Sequence, residues 1–83
     1  MSEQAFVSFC KQEVLEYYRL KGHSLIAEED IYVVWLCKVL QNNKALLSTS
    51  CPDGMYFEIT YNGDKQEFYV DAYHKMENYV VAI

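Results

Sequence analysis

Residues 55–71 read MYFEITYNGDKQEFYVD, and this stretch decides the fold. Apolar and polar residues alternate on both sides of Asn62-Gly63, which predicts two strands joined by a tight turn, because Asn-Gly between such runs is the strongest short-range hairpin signal. A two-residue turn at this position would pair Phe57 with Phe68. A slip of one residue would mix the two faces of the hairpin, so the pattern favours this register.

The predicted hairpin has one apolar face and one face of tyrosines and carboxylates. The apolar face is expected to hold Met55, Phe57, Ile59, Phe68 and Val70. The other face is expected to hold two opposed pairs, Tyr56 with Tyr69 and Glu58 with Glu67. Two close carboxylates can serve acid–base chemistry by raising one pKa. Such pairs also occur on solvated sheet faces, and a solvated face is the preferred interpretation.

Two further strands are predicted upstream of the hairpin. Residues 31–40 are dense in β-branched and aromatic side chains, which favours a strand. Both faces of that strand are apolar apart from Lys38, so it should be central or covered on its second face. Turn signals at residues 41–44 and 51–54 then bound another strand over residues 45–50.

Two helices are expected to flank the strands. Residues 3–21 place apolar side chains at helical spacing, with Ser2 as the N-cap and Gly22 as the stop. Downstream, Asp71 is a suitable N-cap for a short helix over residues 72–79. The expected fold is therefore α+β, with an N-terminal helix, a four-stranded antiparallel meander and a short C-terminal helix.

Length and composition limit the class of protein. The chain has 83 residues, room for a single domain over residues 1–83, and its 52% hydrophobic content exceeds that of disordered chains. A net charge of −5 argues against general nucleic-acid binding, which depends on basic patches. There is no apolar run long enough for a bilayer and no signal-peptide pattern at the start, so we expect a cytoplasmic protein with no membrane contact.

The sequence offers little material for catalysis. Cys10, Cys37 and Cys51 fit neither a disulfide framework nor a zinc pattern, and we expect free thiols. Nothing in the sequence pairs either histidine, His23 or His74, with a cysteine as a catalytic base. Two of the three glycines are assigned to turns, so no phosphate-binding loop can be built. We therefore expect no enzyme, no metal and no cofactor.

The excess of apolar and aromatic residues predicts a partner. The candidate partner-binding residues are Tyr56, Glu58, Glu67, Tyr69, Tyr73, Lys38 and Lys65. An apolar tail left in water would be unusual, which favours a homo-oligomer. The candidate oligomer-interface residues, from the even positions of the first strand and the tail, are Tyr32, Val34, Leu36, Val80, Val81 and Ile83.

Two blocks of the chain resemble a known group of proteins. The first reads YVVWLCK at residues 32–38 and LQNNKALLST at residues 40–49. The second reads DGMYFEITYNGDK at residues 53–65, followed by DAY at residues 71–73. Both are similar to blocks in small uncharacterised proteins of Gram-positive phages and prophages. The resemblance implies a phage-encoded accessory protein made inside a bacterial host, and it brings no catalytic motif with it.

Several functions remain open on these grounds. The preferred hypothesis is a counter-defence or host-takeover protein that binds a host or defence protein stoichiometrically, its acidic surface meeting a basic groove. An alternative is an oligomeric sponge for a nucleotide immune signal, which would stack bases on its aromatic rings. Cations available for phosphate would be Arg19, Lys38, Lys44 and Lys65. A structural or regulatory phage protein is the third possibility.

Overall fold

The computed structural model describes residues 1–23 and 26–83 and has a helix packed on one antiparallel sheet. Its elements are helix α1 (Glu3–Leu20), a 3-10 turn (Glu28–Asp30), and strands β1 (Ile31–Val39), β2 (Asn42–Thr49), β3 (Met55–Asn62) and β4 (Glu67–His74). The strands lie in the order β1-β2-β3-β4. The prediction of an N-terminal helix followed by a four-stranded antiparallel sheet is confirmed.

Helix α1 begins at the predicted residue and ends at Leu20, one residue before the predicted end. The Ser2 hydroxyl oxygen accepts a hydrogen bond from the Ala5 N–H at 3.1 Å, which satisfies a free donor of the first turn. At the other end Gly22 has a φ of +84°, and the His23 N–H donates to the Tyr18 carbonyl at 2.8 Å. A glycine in this left-handed conformation closes the helix in a Schellman motif.

The hydrophobic core lies between α1 and one face of the sheet. Side chains one helical turn apart on α1 point into it, as an amphipathic helix requires. The buried core residues are Phe6, Cys10, Val14, Tyr18, Ile31, Ala45, Leu47, Phe57 and Ile59. The shortest dimension of the molecule is 19 Å, which corresponds to these two layers. Among the described residues no element covers the other face of the sheet.

The register of the β3–β4 hairpin differs from the prediction. Asn62 pairs with Glu67, which leaves a four-residue loop, and Phe57 pairs with Ala72 where the two-residue turn would have put Phe68. The predicted register was therefore wrong by four residues. Because four is an even number, each side chain still lies on the face predicted for it.

The side chain of Asn62 explains the longer loop. Its Oδ1 accepts hydrogen bonds from the backbone N–H groups of Asp64 and Lys65, both at 3.1 Å. Asparagine often satisfies turn backbone in this way. Gln66 completes the reversal with a φ of 53°. The chain thus turns here as predicted, but over more residues.

Gly63 lets the two hairpin turns touch. A Cβ atom at this position would lie 2.1 Å from the Gln41 carbonyl oxygen, so the contact excludes any side chain. The Gly63 N–H also donates to Asn42 Oδ1 at 3.2 Å. The β1–β2 reversal itself occurs at Leu40 and Gln41, before the turn predicted at residues 41–44.

The predicted C-terminal helix is wrong. Residues 72–74 are instead the end of β4, where His74 pairs with Met55. Strand β3 begins at Met55, and its backbone groups need partners along their whole length. The Lys75 N–H continues the ladder by donating to the Gly54 carbonyl at 2.7 Å. Residues 75–83, hereafter the tail, have no regular secondary structure.

A bulge in β1 explains why both faces of this strand are apolar in sequence. The register with β2 shifts between Val33 and Trp35, so Val34 is an extra residue. Ile31 and Val33 face α1 before the bulge, and Leu36 does so after it. The strand therefore contributes odd positions and then even positions to the same core.

Candidate functional site

The open face is the side of the sheet turned away from α1. The register places on it Tyr32, Trp35, Cys37 and Val39 of β1, Asn42, Lys44, Leu46 and Ser48 of β2, Tyr56, Glu58, Thr60 and Asn62 of β3, and Glu67, Tyr69, Asp71 and Tyr73 of β4. Strand alternation fixes this set, because residues directly opposite each other in neighbouring strands share a face.

Exposed aromatic rings lie along both edges of the open face. Tyr32 and Trp35 on β1 are 50% and 41% exposed. Tyr69 and Tyr73 on β4 are 42% and 51% exposed, and the half-buried Tyr56 lies opposite Tyr73. Aromatic side chains with a polar tip are enriched in protein interfaces, because they bury a large rigid area and still form hydrogen bonds.

The centre of the open face is acidic. Glu58 lies directly opposite Asp71, an arrangement that destabilises a sheet. Lys44 Nζ lies 3.7 Å from Glu58 Oε1, whereas Asp71 has no ion-pair partner in the described part of the chain. The negative charges of Glu58 and Asp71 raise the pKa of Tyr73. This tyrosine therefore stays protonated beside a negative patch.

A second tyrosine–carboxylate contact lies towards the β3–β4 turn. The Tyr69 hydroxyl donates to Glu67 Oε2 at 2.5 Å, and this bond raises the pKa of Tyr69. The open face thus combines three carboxylates, Glu58, Glu67 and Asp71, with a single lysine, Lys44. Its character is aromatic and anionic.

The structure separates the predicted partner-binding residues into two groups. The open face holds Tyr56, Glu58, Glu67, Tyr69 and Tyr73. Lys38 pairs with the buried Asn43, which puts it on the α1 side of the sheet, and Lys65 lies in the β3–β4 turn. The predicted couples also change: Tyr56 lies opposite Tyr73, and Glu58 lies opposite Asp71. Sequence reasoning missed Asp71 as a member because it assigned this residue as the N-cap of a C-terminal helix, whereas Asp71 lies within β4.

The predicted oligomer-interface residues are also split. Tyr32 and Val34 are exposed on β1, and Val80, Val81 and Ile83 are exposed in the tail. Leu36 instead packs against the core on the α1 side. The bulge at Val34 is the reason, because it reverses the facing of every later residue of β1.

A polar anchor that the sequence did not indicate joins α1 to the β2–β3 turn. The Tyr18 hydroxyl donates to Asp53 Oδ2 at 2.7 Å, and Asp53 Oδ1 accepts from the Met55 N–H at 3.1 Å. Burial and this bond to Asp53 raise the pKa of Tyr18 to about 12. Burial acts to raise the pKa of Asp53, but its hydrogen bonds from Tyr18 and Met55 outweigh burial and lower it. The anchor is structural.

A cavity adjoins this anchor. It measures about 640 Å³ and is lined by Tyr18, Gly22, His23, Ile26, Asp30, Ser50 and Cys51. Burial, followed by the charge of Asp53, raises the pKa of the Cys51 thiol, which opposes formation of a nucleophilic thiolate. Across residues 1–23 and 26–83, no group of three or more histidine, cysteine, aspartate or glutamate side chains is arranged to hold a metal ion.

The remaining cysteines are free thiols. Cys10 is buried in the core, where burial and then the charge of Glu13 raise its pKa to about 12. Cys37 is exposed on the open face. Within the described ranges, no helix combines the length and the apolar character needed to cross a membrane.

Sequence similarity to a protein family extends over nearly the whole chain. No curated protein and no solved structure matches it. A family model does match, over residues 7–83, which include most of α1, the entire sheet and the tail. The chain therefore belongs to DUF6275, a family of unknown function.

Proposed function

We propose that this chain is a small non-enzymatic binding protein that docks its open face into a cationic groove of another protein. The observation that carries the proposal is the acidic, aromatic character of a sheet face that nothing in the described chain covers. The fold does not need this face for its core. Its side chains are therefore available for recognition.

The chemistry of the open face favours arginine on the partner. Tyr73 presents an exposed ring beside the carboxylates of Glu58 and Asp71. A guanidinium group can stack on an aromatic ring and donate hydrogen bonds from its edge to a carboxylate, whereas an ammonium group offers only a point charge. Asp71, for which residues 1–23 and 26–83 provide no ion-pair partner, gains most from such a cation, because a new partner would offset its repulsion with Glu58.

The size of the open face fits a one-to-one complex of modest area. Four strands spaced about 4.8 Å apart, with about eight residues rising about 3.4 Å each, give a face of roughly 500 Å². Two partners would then bury roughly 1,000 Å², the lower limit for a specific interface. Electrostatic attraction would speed such an encounter and make it sensitive to salt.

The resemblance to phage and prophage proteins suggests where the partner acts. In that setting the partner is a protein of the bacterial host or of its defence, and the complex forms in the host cytoplasm. Grooves that bind nucleic acid are cationic, since they neutralise phosphates with arginine and lysine. The proposed role is therefore stoichiometric occlusion of such a groove, as a counter-defence or host-takeover factor.

Isothermal titration calorimetry of the protein with oligo-arginine and oligo-lysine peptides of equal length, at increasing salt concentration, tests this proposal. The arginine peptide should bind more tightly than the lysine peptide, and its affinity should fall as the salt concentration rises. Asp71→Lys and Tyr73→Ala should each reduce this affinity at least tenfold. The matched control is Glu29→Lys, which makes the same charge change at an exposed residue away from the open face.

Two results would overturn this proposal. An equal loss in Glu29→Lys would mean that only net charge matters, with no dedicated face. Heat from a panel of cyclic and linear nucleotides, with none from the arginine peptide, would favour the nucleotide sponge. The single lysine on the open face argues against that outcome, because phosphate binding needs several cations.

A further inference from the structure

The tail projects away from the body of the molecule. Met76 and Val80 are 89% and 92% exposed, although both are apolar. The radius of gyration is 13.9 Å, whereas a compact chain of this length should have about 12 Å. The family match continues through the tail to residue 83, so the tail belongs to the family domain.

The tail has the composition of a β-strand. Its last five residues, Tyr-Val-Val-Ala-Ile, contain neither glycine, proline nor charge, and three of them are β-branched. Such residues favour an extended chain that pairs with a neighbour. The edge of a sheet presents unpaired N–H and C=O groups with which such a segment can pair.

The sheet offers two edges, and their charges favour β1. Strands β1 and β4 have a neighbour on one side only. The bond of Lys75 to Gly54 holds this residue beside β3, so Glu77 is the charged side chain of the part of the tail that is free to pair. Strand β4 carries Glu67 and Asp71, which would repel Glu77. Strand β1 carries a single charge, Lys38, which would attract Glu77. A tail strand should therefore pair with the free edge of β1.

The tail is too short to reach this edge within its own molecule. It leaves β4 at His74, and the outer side of β1 lies four strand spacings away, or about 19 Å. Crossing that distance would use about six residues at about 3.3 Å each. Only about three residues of the tail would remain to form a strand.

The direction of the strand also requires a second molecule. His74 and Ile31 lie at the same end of the sheet, so a tail that stayed in its own molecule would run parallel to β1. Glu77 would then lie in the crossing segment, away from Lys38. An antiparallel strand from a second copy instead places Glu77 beside Lys38.

We propose that the tail of one copy adds as an antiparallel fifth strand to the β1 edge of a second copy. With Glu77 beside Lys38, the pairing also sets Val80 beside the exposed ring of Trp35. Such pairs of aromatic and β-branched residues stabilise sheets. Self-association of this kind uses the backbone of an edge and borders the open face at Trp35 and Cys37. It does not involve Glu58, Asp71 or Tyr73, which carry the proposed function.

The same register sets Asn78 beside Cys37, which is exposed and free, and this provides the test. Under mild oxidation, Asn78→Cys should form a disulfide-linked dimer with the native Cys37 of a second copy. The link should disappear in Asn78→Cys/Cys37→Ser. The matched control is Ser8→Cys, an exposed position on α1, which should yield no dimer above the wild-type level.

A second measurement does not depend on oxidation. Sedimentation equilibrium should give the wild-type chain a mass above that of the monomer, and Val80→Asp/Val81→Asp should reduce it to the monomer. The conservative Val80→Thr should keep the assembly, since threonine also favours strands.

A monomeric wild-type chain at all concentrations would overturn the inference, as would a disulfide-linked dimer of Asn78→Cys/Cys37→Ser at the level of Asn78→Cys. Tyr73→Ala should leave the cross-link unchanged, so that loss of arginine-peptide binding and loss of assembly are separate results. Circular dichroism of each variant confirms that the sheet itself is retained.

Discussion

The two faces of the sheet differ in what their side chains do: one packs against α1, and the other is the open face. Residues 56–59 of β3 contribute to both. Phe57 and Ile59 point towards α1 and are fully buried, while Tyr56 and Glu58 point to the open face. The first pair holds the fold together. The second pair sits among like charges and uncovered rings, an arrangement that stability alone would not select. The difference shows which side chains the fold requires and which are free for binding.

The largest effect is expected from alanine at neighbouring positions on opposite faces. Phe57→Ala should lower the free energy of unfolding by about 3–5 kcal/mol, because it leaves a cavity beside Tyr17 and Tyr18, whose rings lie 5.0 and 5.8 Å from that of Phe57. Tyr56→Ala should lower it by about 1 kcal/mol or less. Urea titration of both variants measures the free energy of unfolding. Equal reductions in Phe57→Ala and Tyr56→Ala would contradict the division between a core face and an open face.

A smaller loss is expected where the two hairpin turns touch. Gly63→Ala should destabilise the protein by about 1–3 kcal/mol, because the new methyl group would meet the Gln41 carbonyl. Asp64→Ala is the matched control, since Asp64 is exposed in the same turn. Thermal unfolding compares the two. A stable Gly63→Ala variant would mean that the turns separate without penalty.

The polar anchor on the core side should give a pH dependence. Because the pKa of Tyr18 is raised from 10.0 to about 12, its contribution to stability is complete below pH 10 and lost as the pH rises through 12. The free energy of unfolding should therefore fall less between pH 10 and pH 12 in Tyr18→Phe than in the wild type. Urea titration at each pH measures this fall. Tyr32→Phe, on the open face, should leave the fall unchanged. A fall of wild-type size in Tyr18→Phe would contradict the anchor.

The lowered pKa of Asp53 predicts a loss of stability at acidic pH. Its lowered pKa means that its contribution is present above its ordinary value of 3.8 and is lost as the pH falls through the lower, folded-state pKa. Asp53→Asn should weaken this acid dependence, as measured by unfolding between neutral and acidic pH. Asp64→Asn, in an exposed turn, serves as its control.

The smallest effect should have the opposite sign. Asp71→Thr removes the like-charge pair with Glu58, so the free energy of unfolding should rise by about 0.2–1 kcal/mol. The same variant should bind the arginine peptide less tightly. A gain in stability together with a loss in binding is the signature of a residue kept for recognition, and a loss of both would contradict that role.

Local signals predicted the parts of the fold that local interactions determine. Ser2 and Gly22 mark the ends of α1 because each acts through hydrogen bonds within a few residues. The turn at Asn62-Gly63 was predictable for the same reason. The loop length was not, since the Asn62 side chain adopts a longer turn that an Asn-Gly pair alone does not specify.

Strand pairing between residues far apart in sequence determined the parts of the fold that the sequence did not predict. Residues 72–79 have apolar side chains at helical spacing, but β3 begins at Met55 and draws His74 into the sheet as its partner. The bulge at Val34 leaves no mark in the sequence except a strand that is apolar on both faces. The sequence placed the residues of the open face on the correct side of the hairpin, because a displacement of four residues does not change the side on which a residue lies. The pairing of Glu58 with Asp71 was not predicted, because it depends on the register itself.

The bulge at Val34 also gives the protein an optical reporter. Trp35 is the only tryptophan of the chain, and in a regular strand with no bulge at Val34 it would lie under α1. The bulge turns its indole to the open face, where it remains 41% exposed. Its emission should therefore shift to shorter wavelength when water leaves that face and should respond little to events within the core. Unlabelled protein can thus report by fluorescence that the β1 side of the open face is covered, by a partner or by the tail of a second copy, and Val80→Asp/Val81→Asp separates the two cases.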